Sequence, residues 1–464
     1  MIDPRVTAGR VAALCFGLGA ATLVAAQTTQ LSPDQMRAAA AETLRSGQPA
    51  VAQGYADALV ARDATDLTAH LILSRALRDQ GDYPAARSSA RTAWSLAQTP
   101  AQKYSSALVM AQALASAGQR TRAQLWLRRA VQHAPNDTLA ARAKRDFRYV
   151  QQRNPWRTDL SFTLAPNSNI NNGSARDTSF LNYRISEILF GQPVEYSLDG
   201  AAQALSGLEF GGGLRTRYRF DQSATHAQDL TFSADYRSFA LSDGAKAQAP
   251  GVSGSDFAYG TVSVGYAFEA RNLEGKGTFA LGADLGQSWY GGARYASFHR
   301  LRAAQTFHRE TGSQVRLSAD HEWQTGQATN DVDTLRGTAA WIGRRPNGNQ
   351  VLVSFGLGAA SSPNADSEYT GATVQTALAL ARPVMGAAVQ FGLGLEFRDY
   401  DTSRHDPSGR EDAKIAADVT ATFKSIDYYG FNPSVTLSAS RTDSNIGLFD
   451  TTRFGVSLGI RSAF

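Results

Sequence analysis

The sequence predicts an α + β protein: an N-terminal all-α tetratricopeptide solenoid followed by an antiparallel transmembrane β-barrel of about 14 strands. Three observations support this fold class. An apolar run follows two arginines near the start, and Ala- and Leu-rich segments then recur at a spacing near 34 residues. From Asn154 onward, apolar side chains alternate with small or polar ones.

Residues 1–26 have the features of a cleavable secretory signal peptide. Arg5 and Arg10 precede an apolar run over residues 11–24, which ends in small residues. The run is shorter than the roughly 20 residues that a membrane-spanning helix needs, so a signal is favoured over a membrane anchor. Cys15, the only cysteine, lies inside this run. The exported chain would therefore have neither disulfides nor thiolate chemistry.

Residues 27–153 are predicted to form a periplasmic domain of tetratricopeptide repeats. Gly47, Gly81 and Gly118 are 34 and 37 residues apart, and each lies between two helix-forming segments. A helix, a Gly-containing turn and a second helix at a period near 34 residues are typical of this repeat. We expect each glycine to end the first helix of a pair, and residues 138–152 to form a closing helix.

This first domain is basic, with 17 Lys and Arg against 9 Asp and Glu, whereas residues 154–464 have 27 and 31. Export and the dispersal of the charges argue against nucleic-acid binding. Repeat arrays commonly bind a protein or peptide on their concave face. Large aromatic side chains also fill the space between such helices, and arginines also form solvated faces. The candidates for a client-binding groove are Tyr83, Arg87, Arg91, Trp94, Tyr104 and Trp126.

Residues 154–464 are predicted to form the barrel domain. Leu230, Phe232 and Ala234 alternate with polar residues, as a strand between lipid and a lumen requires. A soluble sandwich would show the same alternation, but runs of about ten or more residues favour a membrane barrel. The predicted strands are 157–165, 206–220, 229–239, 256–270, 276–288, 294–309, 312–325, 331–344, 349–360, 368–380, 386–400, 412–425, 431–441 and 452–464.

The connections between these strands are predicted to alternate between short inner turns and longer outer loops. Both ends of the barrel domain would then face the periplasm, together with the helical domain. A closed barrel also pairs every strand edge within lipid. Residues 166–205 interrupt the pattern and contain a predicted helix at 178–190. A connection of this length is either a functional plug or a long external loop.

Catalysis is not expected, and neither a cofactor nor a metal is predicted. The seven histidines have no zinc-ligand spacing. Asp331, Asp333, His405 and Asp406 fall on or near predicted outer loops, but no nucleophile motif accompanies them.

The signal, the short tetratricopeptide domain, the barrel of about 14 strands and two sequence segments together resemble the surface lipoprotein assembly modulator (Slam) family over nearly all of the mature chain. The two segments are NPWRTDLSFTLAPNSNINNGS at 154–174 and SASRTDSNIGLFDTTRFGVSLGIRSAF at 438–464, with NSNIN and SNIGLFD as the most specific parts. The resemblance implies an outer-membrane translocator whose periplasmic helices receive a client lipoprotein, or a related soluble protein, for delivery to the cell surface. The helical domain has about three repeats, so client recognition is expected to be reduced or different.

The same resemblance implies that the last strand is the insertion signal for the barrel assembly machinery. The matching residues are Arg453, Gly455, Leu458, Ile460 and Phe464. Outer-membrane lipid and the client are the other implied partners.

The alternative function is export of an exopolysaccharide, because such exporters also join tetratricopeptide repeats to a barrel. Their repeat arrays are typically longer, and their lumen has strong charge of one sign. The inward positions here mix both signs: Asp235, Arg237, Glu396, Arg398, Asp418 and Lys424. Whether a protein client would pass through the lumen or along the barrel seam is left open by the sequence.

Overall fold

The computed structural model describes residues 30–462, with the backbone alone for 461 and 462. The predicted signal and Phe464 lie outside the described residues. The chain divides into two compact units, one up to Leu96 and one from Ala97.

The N-terminal part consists of helices arranged as successive pairs and a closing helix. These are α1 (Pro33–Arg45), α2 (Pro49–Arg62), α3 (Leu67–Asp79), α4 (Tyr83–Leu96), α5 (Pro100–Ser116), α6 (Arg120–Gln132) and α7 (Asp137–Arg153). The helix pairs and the closing helix occur where the sequence predicts them.

Glycine ends the first helix of each pair, as expected. Gly47, Gly81 and Gly118 have φ of 75°, 88° and 75°, a left-handed conformation that disfavours a side chain. The residue after each glycine donates its N–H back to the helix, as in the 2.9 Å bond from Gln48 N to Thr43 O. This is the Schellman arrangement, which satisfies carbonyl groups at the helix end.

The strands follow α7 in one continuous succession. They are β1 (Trp156–Asn167), β2 (Thr178–Phe180), β3 (Glu195–Ser197), β4 (Gly207–Gln222), β5 (His226–Leu241), β6 (Tyr259–Asn272), β7 (Gly277–Tyr290), β8 (Ala293–His308), β9 (Gln314–Gly326), β10 (Val332–Arg344), β11 (Gln350–Ser361), β12 (Tyr369–Ala379), β13 (Ala387–Tyr400), β14 (Arg410–Phe423), β15 (Phe431–Ser444) and β16 (Thr451–Ser462).

Fourteen of these strands form a closed antiparallel barrel, in which β1 pairs with both β4 and β16. Strands β2 and β3 form a separate hairpin. The barrel and its strand number confirm the predicted fold class. Each predicted strand matches a barrel strand, and the described ends differ from the prediction by no more than three residues.

The outer wall of the barrel exposes large apolar side chains. On β1, Leu160, Phe162 and Leu164 are 60%, 60% and 48% exposed. Leu357 on β11 and Phe454 on β16 are 58% and 54% exposed. Among the helices of residues 30–462, none is long and apolar enough to cross a membrane.

We name the two ends of the barrel by their connections. The inner end contains the junction of α7 with β1 and the connections 223–225, 273–276, 309–313, 345–349, 380–386 and 424–430. The outer end contains 168–206, 242–258, 291–292, 327–331, 362–368, 401–409 and 445–450. The three longest connections, 168–206, 242–258 and 401–409, lie at the outer end as predicted, whereas the outer connections 291–292, 327–331 and 445–450 are no longer than the inner turns.

Two details differ from the prediction. The helix predicted at 178–190 begins only at Tyr183, because Thr178–Phe180 pairs with β3; it is α8 (Tyr183–Phe190). Lys424, predicted to point inward from a strand, lies in an inner turn because β14 ends at Phe423. A further short helix, α9 (Asp243–Gln248), lies in the connection after β5.

Candidate functional site

The inward face of the barrel is lined by opposite charges in direct contact. Asp229 on β5 accepts hydrogen bonds from Arg217 at 2.9 Å and Arg219 at 2.7 Å, both on β4. Arg302 on β8 pairs with Asp284 on β7. Similar pairs are Arg300–Glu322, Arg336–Asp320, Arg398–Glu396 and Arg410–Asp412. Positive and negative side chains therefore lie next to each other along this wall. Its described residues form no large area of a single charge sign.

The long connection 168–206 is anchored by the side chains of its first residues. Asn169 is fully buried, accepts from Gly173 N at 2.9 Å and donates to Gly173 O at 2.8 Å. Asn171 donates to Gln203 O and accepts from Leu205 N, both at 2.8 Å. Asn169 thus fixes the turn at the start of this connection, and Asn171 joins its start to its end.

The same connection has its own small apolar core above β4 and β5. Ile170 and Leu205 are buried against Phe239 and Leu241 of β5 and against α9. The predicted helix α8 lies beyond this core. This packing shows that 168–206 is a folded element rather than an unsupported loop.

The two segments that carry the family resemblance contact each other at the outer end. Ser168 N donates to Phe454 O at 3.1 Å, and Phe454 N donates to Ser168 Oγ at 2.8 Å. Arg453 Nε donates to Asn169 O at 2.9 Å. Farther along, Ser174 Oγ donates to Gly447 O at 2.7 Å. NSNIN and SNIGLFD are therefore parts of one contact surface, although they lie almost 280 residues apart in the chain.

A charged pair completes this contact. Arg176 Nε donates to Asp450 Oδ2 at 2.5 Å, and Ala175 N donates to Asp450 O at 2.7 Å. Asp450 also accepts from Ser444 N and is buried. We call these contacts of residues 168–176 with 447–454 the outer clasp.

The outer clasp lies over the seam between β1 and β16. This seam pairs Leu164 with Leu458 and Asn167 with Gly455. By contrast, β15 and β16 pair at every position from Phe431–Ser462 to Thr442–Thr451. The ladder that closes the barrel is thus the sparsest of its strand pairings in the described residues.

The outer connection 401–409 also meets residues 168–206. Asn182 N donates to His405 Nδ1 at 3.2 Å, and Arg404 Nε lies 3.1 Å from His405 Nε2. Burial and the neighbouring Arg404 lower the pKa of His405, although Asp366 opposes this shift. His405 is therefore held neutral where it touches the segment before α8.

At the inner end, α6 docks onto the turn between β14 and β15. The Arg128 guanidinium donates to the carbonyl oxygens of Tyr429 at 3.2 Å and Gly430 at 2.8 Å. It also lies over the rings of Phe431 at 4.3 Å and Phe147 at 4.9 Å. Cation–π contacts and hydrogen bonds thus act on one guanidinium group.

Gln132, the last residue of α6, and His133, which follows it, support the same docking. Gln132 Oε1 accepts from Tyr429 N at 2.9 Å, and the His133 ring meets the Tyr429 ring edge-on at 6.3 Å. Burial, followed by nearby Lys103, lowers the pKa of His133. We call the contacts of Arg128, Gln132 and His133 with residues 429–431 the inner clasp.

The predicted groove residues occupy different positions. Tyr83, Arg87, Arg91 and Trp94 lie on α4, and Arg87 Nε donates to Tyr83 O of its own helix at 3.3 Å. Tyr104 on α5 is buried, its hydroxyl donates to Leu139 O at 3.3 Å, and burial raises its pKa. Tyr104 therefore packs between helices, which was the alternative for these aromatics. The partly exposed Trp126 lies on α6.

Of the residues of the predicted insertion signal, Arg453, Gly455, Leu458 and Ile460 lie on β16. Leu458 and Ile460 point outward and are 55% and 52% exposed. Arg453 belongs to the outer clasp, and Gly455 pairs with Asn167 of β1.

No protein-family model matches the chain, and no curated protein matches it. Among solved structures, it is similar to the type III secretion translocator chaperone SycD of Yersinia enterocolitica (19% identity over 26% of this chain and 92% of that one, TM-score 0.24). It is similar to an outer membrane channel from Pseudomonas putida F1 (11% identity, 65% and 95%, TM-score 0.31). It is also similar to CdiB from Acinetobacter baumannii (11% identity, 65% and 60%, TM-score 0.35). These values describe a coarse likeness only.

Proposed function

We propose that this protein is a non-enzymatic outer-membrane translocator that delivers client lipoproteins, or related soluble proteins, from the periplasm to the cell surface. The observation that carries the proposal is a lipid-compatible barrel whose inner end is docked onto helices. The domains would be a signal at 1–26, a periplasmic tetratricopeptide domain at 27–153 and the barrel at 154–464.

The exterior of the barrel supports a membrane location. Exposed Leu, Phe and Ile side chains recur along the outer face, as on β1 and β16. A water-soluble protein rarely exposes an apolar surface of this extent. A closed barrel also leaves few backbone groups unpaired in lipid. The export signal and short inner turns favour the outer membrane, with the helices in the periplasm.

The helices support a role in binding a client. Pairs that begin at Pro33, Leu67 and Pro100 repeat at an interval of 34 and then 33 residues, with a left-handed glycine inside each pair. Repetition of this kind supports an assignment as tetratricopeptide repeats, which typically bind peptides or protein surfaces. The groove candidates on α4 would contribute to that binding. With a helical domain before a barrel, the chain resembles the Slam family in its domain organisation.

The lumen argues against the polysaccharide exporter. A polymer of one charge sign is best matched by a wall of the opposite sign. Here Asp229 lies between two arginines, and Asp284 and Glu322 each contact an arginine on β8. Protein clients of varied charge suit such a wall better.

The proposal is tested by surface exposure of a candidate client. Exported proteins encoded beside this gene would be epitope-tagged and co-expressed with or without the full chain, and intact cells would then be treated with protease. We expect the protease-accessible fraction of one such client to rise at least tenfold when the full chain is present. The control is a second, unrelated surface protein, whose exposure should not change.

The proposal fails if the chain assembles as a heat-modifiable outer-membrane barrel and no candidate changes its exposure. Loss of extracellular polysaccharide on deletion of the gene, without a change in any protein client, would favour the alternative exporter.

A further inference from the structure

We propose that the β1–β16 seam is a lateral exit, at which an extended segment of the client pairs with the edges of β1 and β16. The proposal rests on the proposed function and selects between the two routes that the sequence leaves open.

Among the described residues, the β1–β16 seam has fewer paired residues than any other strand pairing of the barrel. Strand β1 pairs with β4 at every residue from Trp156 to Asn167, but with β16 at Leu164 and Asn167. Pro166 lies between these two positions and has no N–H to donate to either neighbour. Opening the barrel here would cost fewer backbone hydrogen bonds than at any other described pairing.

An opened seam would also present what an extended polypeptide recognises. The facing edges of two strands carry unpaired N–H and C=O groups, which form a template for added strands. Pairing of this kind depends on backbone groups rather than on one side-chain sequence. It therefore fits a translocator whose clients differ in sequence.

Residues 168–206 contact the outer rim of the barrel on both sides of the seam. Residues 168–206 contact β5 through Ile170 and Leu205, β16 through Ser168, and the β13–β14 connection through Asn182. This folded connection extends along the rim from β5 past the seam to β13 and β14. A client that moved up the lumen on this side would meet the connection.

Both clasps cross the same seam. The outer clasp joins the residues that follow β1 to β16 and its preceding turn. At the inner end, α7 continues into β1, while Arg128 of the adjacent α6 holds the start of β15 on the far side of β16. Side-chain contacts at both ends thus hold this sparsely paired seam closed. These contacts can break without unfolding a strand.

The test uses disulfide closure of the seam. The only cysteine of the chain, Cys15, lies in the predicted signal, so introduced pairs should be the sole thiols of the exported protein. Leu164→Cys with Leu458→Cys joins the seam. Leu395→Cys with Ile415→Cys joins β13 to β14, which pair throughout, and is the matched control on the same lipid-facing surface.

Both variants would be assembled in reduced form and then oxidised in intact cells that express the client identified above. We expect oxidation of the seam pair to lower client exposure at least tenfold and reductant to restore it, while the control pair changes exposure less than twofold. Equal delivery by the oxidised seam variant and the control would overturn the lateral exit and leave the translocator function intact.

A second measurement is independent of any client. The same four cysteines would carry spin labels, and distances would be measured in lipid nanodiscs. We expect a broader and longer distribution across 164–458 than across 395–415. If the 164–458 distances are distributed as narrowly as the 395–415 distances, the lateral exit is overturned. This result does not depend on whether any client is delivered.

Discussion

The two ends of the β1–β16 seam are closed by different chemistry. At the outer end, Asn169 Nδ2 and Ser174 Oγ donate to the carbonyl oxygens of Thr452 and Gly447, and Arg176 pairs with the buried Asp450. At the inner end, one arginine binds two carbonyl oxygens and two aromatic rings. The outer clasp is local to the barrel, whereas the inner clasp connects the barrel to helices.

The largest effect is expected from Asn169→Ala in the outer clasp. The substitution leaves buried Gly173 N and O without their side-chain partner and removes the 3.4 Å contact with Thr452 O. We expect the docked state of residues 168–206 to lose about 3 kcal/mol, because each unsatisfied buried group costs about 1–3 kcal/mol. Limited proteolysis of the purified barrel should cleave this connection faster.

The matched control is Asn364→Ala in the outer connection 362–368, where the side chain accepts a local bond from Asp366 N. It should leave cleavage of 168–206 unchanged. Equal protection of that connection in the Asn169→Ala variant and the parent would show that Asn169 does not anchor it.

A smaller effect is expected from Arg128→Ala in the inner clasp. Loss of two hydrogen bonds and two cation–π contacts should weaken docking of α6 by about 2 kcal/mol. Arg128→Lys should give an intermediate result, since an ammonium group lacks the planar fork that reaches both carbonyls. Hydrogen exchange of residues 424–431 measures the change.

Arg129→Ala is the control on the same helix, because the Arg129 guanidinium lies over Trp126 of α6 at 4.4 Å and not over the turn. If exchange in 424–431 rises equally in the Arg128 and Arg129 variants, the effect belongs to α6 as a whole.

The smallest effect is expected from pH at His405. Its pKa is lowered in the docked state, so the neutral ring stabilises docking above the ordinary pKa of about 6.5, and this stabilisation is lost as the pH falls below that value. A spin label at Glu187→Cys on α8 should become more mobile between pH 7.5 and 5.5. His405→Gln, which does not titrate, should remove the pH dependence. Identical pH responses in the two proteins would exclude His405 as the cause.

The strands and helix pairs could be predicted because their signals are local. Alternation along β11 or β13 depends on neighbouring residues, and the first helix of each pair ends at a glycine such as Gly81. The start of α8 was placed too early, since the pairing of Thr178–Phe180 with β3 overrides its helical pattern.

The candidate site was less predictable. NSNIN and SNIGLFD stood out in the sequence, but the contact between the two segments that contain them did not. Arg128 resembled the other arginines of the helices, and no local pattern distinguishes an arginine that docks onto a distant turn from one on a solvated face.

The sequence by itself determined the order of helices and strands, the two faces of each strand and the short and long connections. These follow from side-chain period and turn residues, which act over a few positions. Only the tertiary structure decided which strands close the barrel and how few residues pair across that closure. The β1–β16 pairing and both clasps join residues up to about 300 positions apart, and such contacts depend on the closure of the whole sheet.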